Sequence, residues 1–322
     1  MAFLKQRLFM KKVLIFDMEN SLAREMSKYF LDRNIEVVGV GVNEKVLGSL
    51  NSYDLFTFRK FDLAKQDFLR SYLYGIDSIL IINSSEFILE KIDHLYQCLI
   101  HQKSRVPQVL FLSSYEVFGD SRKAPYLEDE IPNPLSEDAK VLRGAEIIIE
   151  NYTKHLETKG SVLRIPKILS RKNEENEFKE FFKYLSKNTR FVVGDKDNLS
   201  LQWITKDRLF DVCYTILKSS WNDFEVFHAC DYENDIREAF EDLTDYLNSK
   251  SKIIKASKKE MFFSGLMKVL PFLEEMLEDY VRETRSLIFL KSPRISCVKT
   301  DSFFKFNEYT WKGNLSKKKN ID

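Results

Sequence analysis

The sequence predicts an α/β fold: a doubly wound parallel sheet, Rossmann-like, with a smaller C-terminal α+β lobe. Three observations predict it. Short apolar runs alternate with helical-period segments from Lys12 to Ile165, the pattern of consecutive βαβ units. Two of the runs, Asp77–Asn83 and Pro107–Leu112, are almost unbroken in hydrophobicity, as expected of strands covered on both faces. Beyond about residue 170 the texture changes to long amphipathic helices, short strands and many aromatics.

Lys12-Val13-Leu14-Ile15-Phe16 reads as the first strand, Ser21 to Asp32 as a helix, and Ile35 to Val40 as the second strand. Phe56–Asp62 reads as a third strand and Gln66–Leu73 as a helix. Asp77–Asn83 is a strand, and Glu86–Lys103 has helical period. Pro107–Leu112 is a strand that ends in Ser113-Ser114. A Pro-rich and acidic loop follows from Asp120 to Ser136, then a long helix from Glu137 to Glu157, then a strand at Ser161–Ile165. The expected organisation is an N-terminal extension at 1–10, a sheet domain at 11–170, a lobe at 171–314 interleaved with the sheet, and a disordered tail at 315–322 carrying Lys317-Lys318-Lys319.

Composition narrows the function classes. The chain has 322 residues, 44% hydrophobic and 31% charged, ample for a core and a solvated surface. Fifty basic residues against 49 acidic ones leave a net charge of +1, which argues against nucleic-acid binding through a basic face. No apolar run reaches the roughly 18 residues of a membrane span. The four cysteines (Cys98, Cys213, Cys230, Cys297) are far apart in sequence and the four histidines are dispersed, so no metal site is expected. Reduced, mostly buried thiols fit a cytoplasmic protein.

The chemistry of the first turn is the informative departure. A dinucleotide pyrophosphate at a strand–helix turn needs glycines, so that backbone N–H groups can approach it. Here the turn is Phe16-Asp17-Met18-Glu19-Asn20-Ser21-Leu22-Ala23, without glycine and with two carboxylates.

Phe111-Leu112-Ser113-Ser114-Tyr115-Glu116-Val117-Phe118-Gly119 resembles the SS-x-x-V-Y-G strand end of extended short-chain dehydrogenase/reductases, the NAD-dependent nucleotide-sugar epimerase and dehydratase group. Pro125–Ser136 is similar to their acidic, proline-bearing loop, and Val162-Leu163-Arg164-Ile165-Pro166 to their L-R-x-x strand. Gly194-Asp195, Trp203-Ile204-Thr205-Lys206-Asp207 and Tyr309-Thr310-Trp311-Lys312 resemble later family segments in order and spacing.

The resemblance implies positions for the family's functional residues. Its three turn glycines fall on Asp17, Asn20 and Ala23, of which Asn20 can still adopt a left-handed conformation. Asp17 would repel a pyrophosphate. Asp62 matches an adenine-contacting aspartate, although a turn role suits it better, and the ribose-binding region is Gly41-Val42. The family's catalytic Tyr and Lys, paired at i and i+4 on one helix face, fall on Asp138 and Leu142. Glu146 matches the trailing Glu, Lys140 is two residues out of register, and Ser114 matches the catalytic Ser/Thr. Each has a plainer reading: Ser114 caps a turn, Asp138 is a first-turn helix acid, and Arg164 binds phosphate or forms an ion pair.

Catalytic candidates are therefore Ser114 and Asp138, and cofactor candidates Asn20 and Asp62. The expected function is that of a non-catalytic relative acting by ligand or protein binding. No cofactor is expected to bind tightly. The alternative is an active NAD- or NADP-dependent epimerase, dehydratase or reductase with an atypical site. A nucleotide-sugar-like ligand is one candidate partner. The other is a second copy or another protein, held by helices of residues 255–284, where Met261, Phe262, Phe263, Met267, Phe272 and Met276 crowd one amphipathic stretch.

Overall fold

The computed structural model describes residues 10–61, 71–82, 88–100, 107–119, 125–156, 158–169, 190–193, 200–219, 221, 223–235, 241, 244, 250, 252–255, 284–286 and 294–304. Asp62, most of the stretch at 255–284 and the two termini lie outside the described residues.

The elements in chain order are β1 (Lys12–Phe16), α1 (Ser21–Leu31), β2 (Glu36–Gly41), β3 (Phe56–Lys60), β4 (Ser78–Ile82), α2 (Ile88–Ile100), β5 (Gln108–Ser114), α3 (Glu137–His155) and β6 (Gly160–Ile165). They continue as β7 (Lys167–Leu169), β8 (Arg190–Val193), β9 (Ser200–Thr205), α4 (Lys206–Lys218), β10 (Phe224–His228), β11 (Tyr232–Asp235), β12 (Lys252–Lys255), β13 (Thr284–Ser286) and α5 (Val298–Phe304). Seven strands form one parallel sheet in the order β10-β6-β5-β4-β1-β2-β3. Two three-stranded sheets, β11-β9-β7 and β12-β8-β13, accompany it.

The doubly wound arrangement follows from the two-residue period of strands covered on both sides. In β1, Val13 and Ile15 enter one core cluster with α1 and α4, while Leu14 and Phe16 enter a second with α2 and α3. Leu80 and Ile82 against Ile79 and Ile81 in β4, and Leu110 and Leu112 against Val109 and Phe111 in β5, repeat the division. At the far end of the strands, Gln108 donates to the Ile216 carbonyl (3.0 Å), which also accepts the Ser219 N–H that closes α4.

The lobe and the sheet share chain. β7, within residues 11–170, leaves the main sheet to pair with β9, and β10 returns to the sheet edge beside β6. The amphipathic reading of 255–284 needs correction at its ends, since Lys255 closes β12 and Thr284 opens β13, both paired with β8. Backbone pairing with a shared strand overrides the helical period there. Among the described residues no helix is long and apolar enough to cross a membrane.

Gly160 fixes how α3 returns to β6. A β-carbon there would fall 2.0 Å from Thr153 Oγ1, inside the buried junction. Gly160→Ala should therefore cost about 1–3 kcal/mol by overpacking, read as a lower urea midpoint at unchanged slope. A midpoint equal to wild type would show that Thr153 moves aside freely.

Candidate functional site

In an open parallel sheet, ligands sit outside the carboxyl ends of the strands where the winding reverses. Here that point lies between β1, which leads through α1 to β2, and β4 on its other side. The residues facing it are those of the Phe16–Asn20 turn, the end of β2 at Gly41-Val42, and the end of β5 at Ser114.

Side chains of the turn itself occupy this corner. Asp17 takes the left-handed conformation (φ 65°) that a glycine would take. Its carboxylate turns inward and pairs with Lys91, whose ammonium is buried on α2 and lies 5.9 Å from the centre of the Phe61 ring. The expectation that Asp17 confronts a phosphate is thus corrected. Lys91 interrupts the apolar face formed by Ile88, Ile92 and Leu95, and a buried ammonium needs an anionic partner. Together with Phe16 and Ile81 these residues line only a tight crevice with no room for a bound molecule, far from the roughly 300–1,000 Å³ of ordinary ligand sites.

The next three residues are equally committed. Met18 is buried against β2, so close that a β-carbon on Gly39 would lie 2.8 Å from its sulfur. Glu19 reaches across to the end of β2, where one carboxylate oxygen accepts the N–H groups of Val42 (2.6 Å) and Asn43 (2.7 Å). Both its oxygens lie where a side chain on Gly41 would have to start, 2.9 Å from that β-carbon. Arg24 donates to the carbonyls of Met18 and Glu19, each at 2.7 Å. Asn20 is extended (φ −75°, ψ 129°) rather than left-handed, because its side chain caps α1 by accepting from the Leu22 N–H at 2.8 Å. Asn20 and Glu19 thus take three backbone donors at this corner, the N–H groups of Leu22, Val42 and Asn43, which an anionic ligand would otherwise seek.

The catalytic candidates separate. The Ser114 hydroxyl caps a short 3₁₀ turn by accepting from the Glu116 N–H at 3.2 Å. Asp138 is exposed in the first turn of α3, behind the Ser136 cap on Ala139 N–H. Among the described residues no hydrogen bond joins Ser114 to Asp138. Leu142 is buried in the α2–α3 core, and Lys140 lies exposed against Glu137 at 2.6 Å.

Directly behind Ser114 lies a buried ionic network that sequence reasoning saw only in part. Glu146 is fully buried and accepts from Arg164 Nε (3.0 Å) and Nη2 (2.9 Å), from Arg143 (3.0 Å) and from the Ser113 hydroxyl (2.7 Å). Arg164 therefore makes an ion pair, which decides between its two readings, and its guanidinium lies 4.9 Å from the centre of the Phe118 ring. Phe118 stacks on Tyr126 (4.3 Å) and meets His228 edge-on (5.7 Å). Burial first, and then the charge of Arg164, push His228 down to about 3, so its imidazole stays neutral at physiological pH. Glu146 had entered the sequence reading as a register marker. The signal for its role was an acid facing a strand arginine across a helix–sheet contact, and the signal for Lys91 was a lysine on an apolar helix face.

No protein-family model matches the chain, and no curated protein matches it by sequence. Its fold matches solved structures over nearly their whole length. A dTDP-glucose 4,6-dehydratase from Bacillus anthracis in complex with NAD is 12% identical, with 95% of each chain covered and a TM-score of 0.67. A UDP-glucuronic acid 4-epimerase from Bacillus cereus in complex with NAD is 14% identical, covering 92% of this chain and 93% of that one at a TM-score of 0.63. A UDP-glucose 4-epimerase from Thermotoga maritima with UDP-glucose is 11% identical, covering 90% and 91% at 0.64. At the carboxyl ends of its strands, this chain therefore carries a self-filled turn and an ion-paired core within the fold of nucleotide-sugar epimerases and dehydratases.

Proposed function

We propose that the protein is a non-catalytic relative of the NAD-dependent nucleotide-sugar epimerases and dehydratases, acting by binding rather than by redox chemistry. The carrying observation is that the dinucleotide corner is filled by the chain's own groups: Asp17 on Lys91, Met18 under Gly39, and Glu19 on the Val42 and Asn43 N–H groups. A pyrophosphate or ribose brought there would meet the Glu19 carboxylate and find those N–H groups taken. These residues do not fit the cofactor. The proton-transfer pair is replaced as well, by an exposed acid at Asp138 and a buried leucine at Leu142. A hydroxyl at Ser114 alone has no partner to exchange the proton of a sugar alcohol with.

The binding function has two forms. One is a nucleotide-sugar-like ligand held in the cleft without conversion, favoured by the match to sugar-nucleotide enzymes over nine-tenths of the chain. The other is a homodimer or protein partner held through residues 255–284, favoured by their density of Met and Phe. In either form the protein works in the cytoplasm on this reading, with its cysteines as thiols.

Calorimetry with NAD⁺, NADH, NADP⁺ and NADPH tests the central claim. The expected dissociation constants lie above roughly 1 mM, a binding free energy weaker than about 4 kcal/mol. UDP-glucose incubated with protein and added dinucleotide should be recovered unchanged. Micromolar binding of any of the four would overturn the reading and favour a working oxidoreductase with an atypical site.

A further inference from the structure

The cysteines looked isolated in sequence, but the fold brings two of them together. Cys230 follows β10 by two residues, and Cys297 immediately precedes α5, 67 residues further on. Their sulfurs lie 2.9 Å apart. The other two thiols are placed differently: Cys98 is buried in the α2 layer and Cys213 in the α4 layer on the opposite face of the sheet. Burial pushes the Cys213 thiol far up, which makes it inert as a nucleophile.

We propose that Cys230 and Cys297 are a redox-responsive pair, joined as a disulfide when the protein meets a peroxide or a small-molecule disulfide. Cys230 is partly exposed and Cys297 buried, so Cys230 meets the oxidant first. With hydrogen peroxide, its thiolate attacks one oxygen and the O–O bond breaks, giving a sulfenic acid and hydroxide, which takes up the proton the thiol released and leaves as water. Cys297 then attacks that sulfur, the S–O bond breaks, and a second water leaves. Two S–H bonds are lost, one S–S bond forms, and the two electrons reduce the peroxide. With a small disulfide, Cys230 displaces one of its thiols and Cys297 displaces the second, so two small thiols leave.

The disulfide acts as a latch on a segment that is already docked. Residues 294–304 lie against three separate parts of the chain. Ile295 forms a bridge to Tyr126 and is held by both groups of the Gln202 amide, at 2.8 Å each. The Thr300 hydroxyl accepts the His228 N–H at 3.1 Å, and Arg208 of α4 holds Asp301 at 2.7 Å. Phe304 packs on Phe227 of β10 at 5.2 Å between ring centres. A covalent tie from Cys297 to the end of β10 therefore fastens the loop at 126, the outer strand of the main sheet and α5 as one unit at the carboxyl end of the sheet. It closes a long loop through the C-terminal lobe, the case in which a cross-link restricts the unfolded chain most.

The test uses the full chain, treated with hydrogen peroxide or with oxidised glutathione and quenched by alkylation. The expected product has lost two hydrogens, yields a tryptic peptide linking Cys230 to Cys297, and melts roughly 5 °C higher. Dithiothreitol should reverse all three changes. A variant carrying Cys98→Ser and Cys213→Ser should behave as wild type, whereas Cys297→Ser should keep oxidation or glutathione on Cys230 without a cross-link. A stable adduct on Cys230 in the wild-type protein, cross-links only between chains, or an unmodified protein after both treatments would each overturn the proposal.

Discussion

Replacing Glu146 with alanine is expected to destabilise the protein by about 3–5 kcal/mol, the usual cost of removing one member of a buried ion pair. The carboxylate is fully buried and holds two guanidinium groups and a hydroxyl. Arg164 is 2% exposed. Without Glu146 its guanidinium would stay in the core beside the Phe118 ring with no carboxylate bound to it among the described residues. Glu146→Gln should cost less, since an amide oxygen can still accept one of the guanidinium bonds. Arg143→Ala should cost under about 1 kcal/mol, because the Arg143 side chain is a quarter exposed and Arg164 still faces the carboxylate. Replacing both Glu146 and Arg164 by Leu and Met should recover most of the loss. Equilibrium urea unfolding reads all four. A loss below about 1 kcal/mol for Glu146→Ala would mean that water reaches Arg164 and that the network is not a buried one.

The network also shows why architecture and catalysis can separate on this fold. Glu146 sits two turns beyond Asp138 on α3 and grips the ends of β5 and β6 through Ser113 and Arg164. It holds helix and strands in place whatever residues stand at 138 and 142. The packing of helix on strands is therefore independent of any chemistry at those two positions.

How much was legible follows from which forces are local. The strands of the sheet were readable because burial on two faces leaves uninterrupted apolar runs, as at Ser78–Ile82. The absence of glycine from the Phe16–Ala23 turn was readable because the turn is short and contiguous in sequence. Contacts between distant residues were not. Nothing near Asp17 announces Lys91, 74 residues away, and nothing near Cys230 announces Cys297. The conformation of the turn was not legible for the same reason. Asn20 could have gone left-handed on local preference, but capping α1 held it extended, and the salt bridge to Lys91 drew Asp17 into the left-handed position.

The Asp17–Lys91 pair gives the second large expected effect, and it separates the folding role of the turn from its blocking role. Asp17→Ala deprives the Lys91 ammonium of this carboxylate in a pocket of Phe16, Ile81, Ile88, Ile92 and Leu95, and leaves alanine at a positive φ. The expected loss is about 2–4 kcal/mol, the cost of removing one member of a buried ion pair. Asp17→Gly should lose less by roughly 1 kcal/mol, since glycine accepts that backbone without strain. The double variant Asp17→Gly, Lys91→Met replaces the ion pair by apolar packing and should match or exceed wild type, by up to about 4 kcal/mol. Thermal and urea unfolding of the three variants measure these differences. None of them should bind NAD⁺ in the micromolar range, because Glu19 still occupies the Val42 and Asn43 N–H groups in each. Combining Asp17→Gly with Glu19→Gly clears both carboxylates from the corner, and calorimetry on that variant isolates what Glu19 contributes. Tight NAD⁺ binding by Asp17→Gly alone would show that Asp17 was the obstruction, and that the Glu19 carboxylate yields to a competing phosphate.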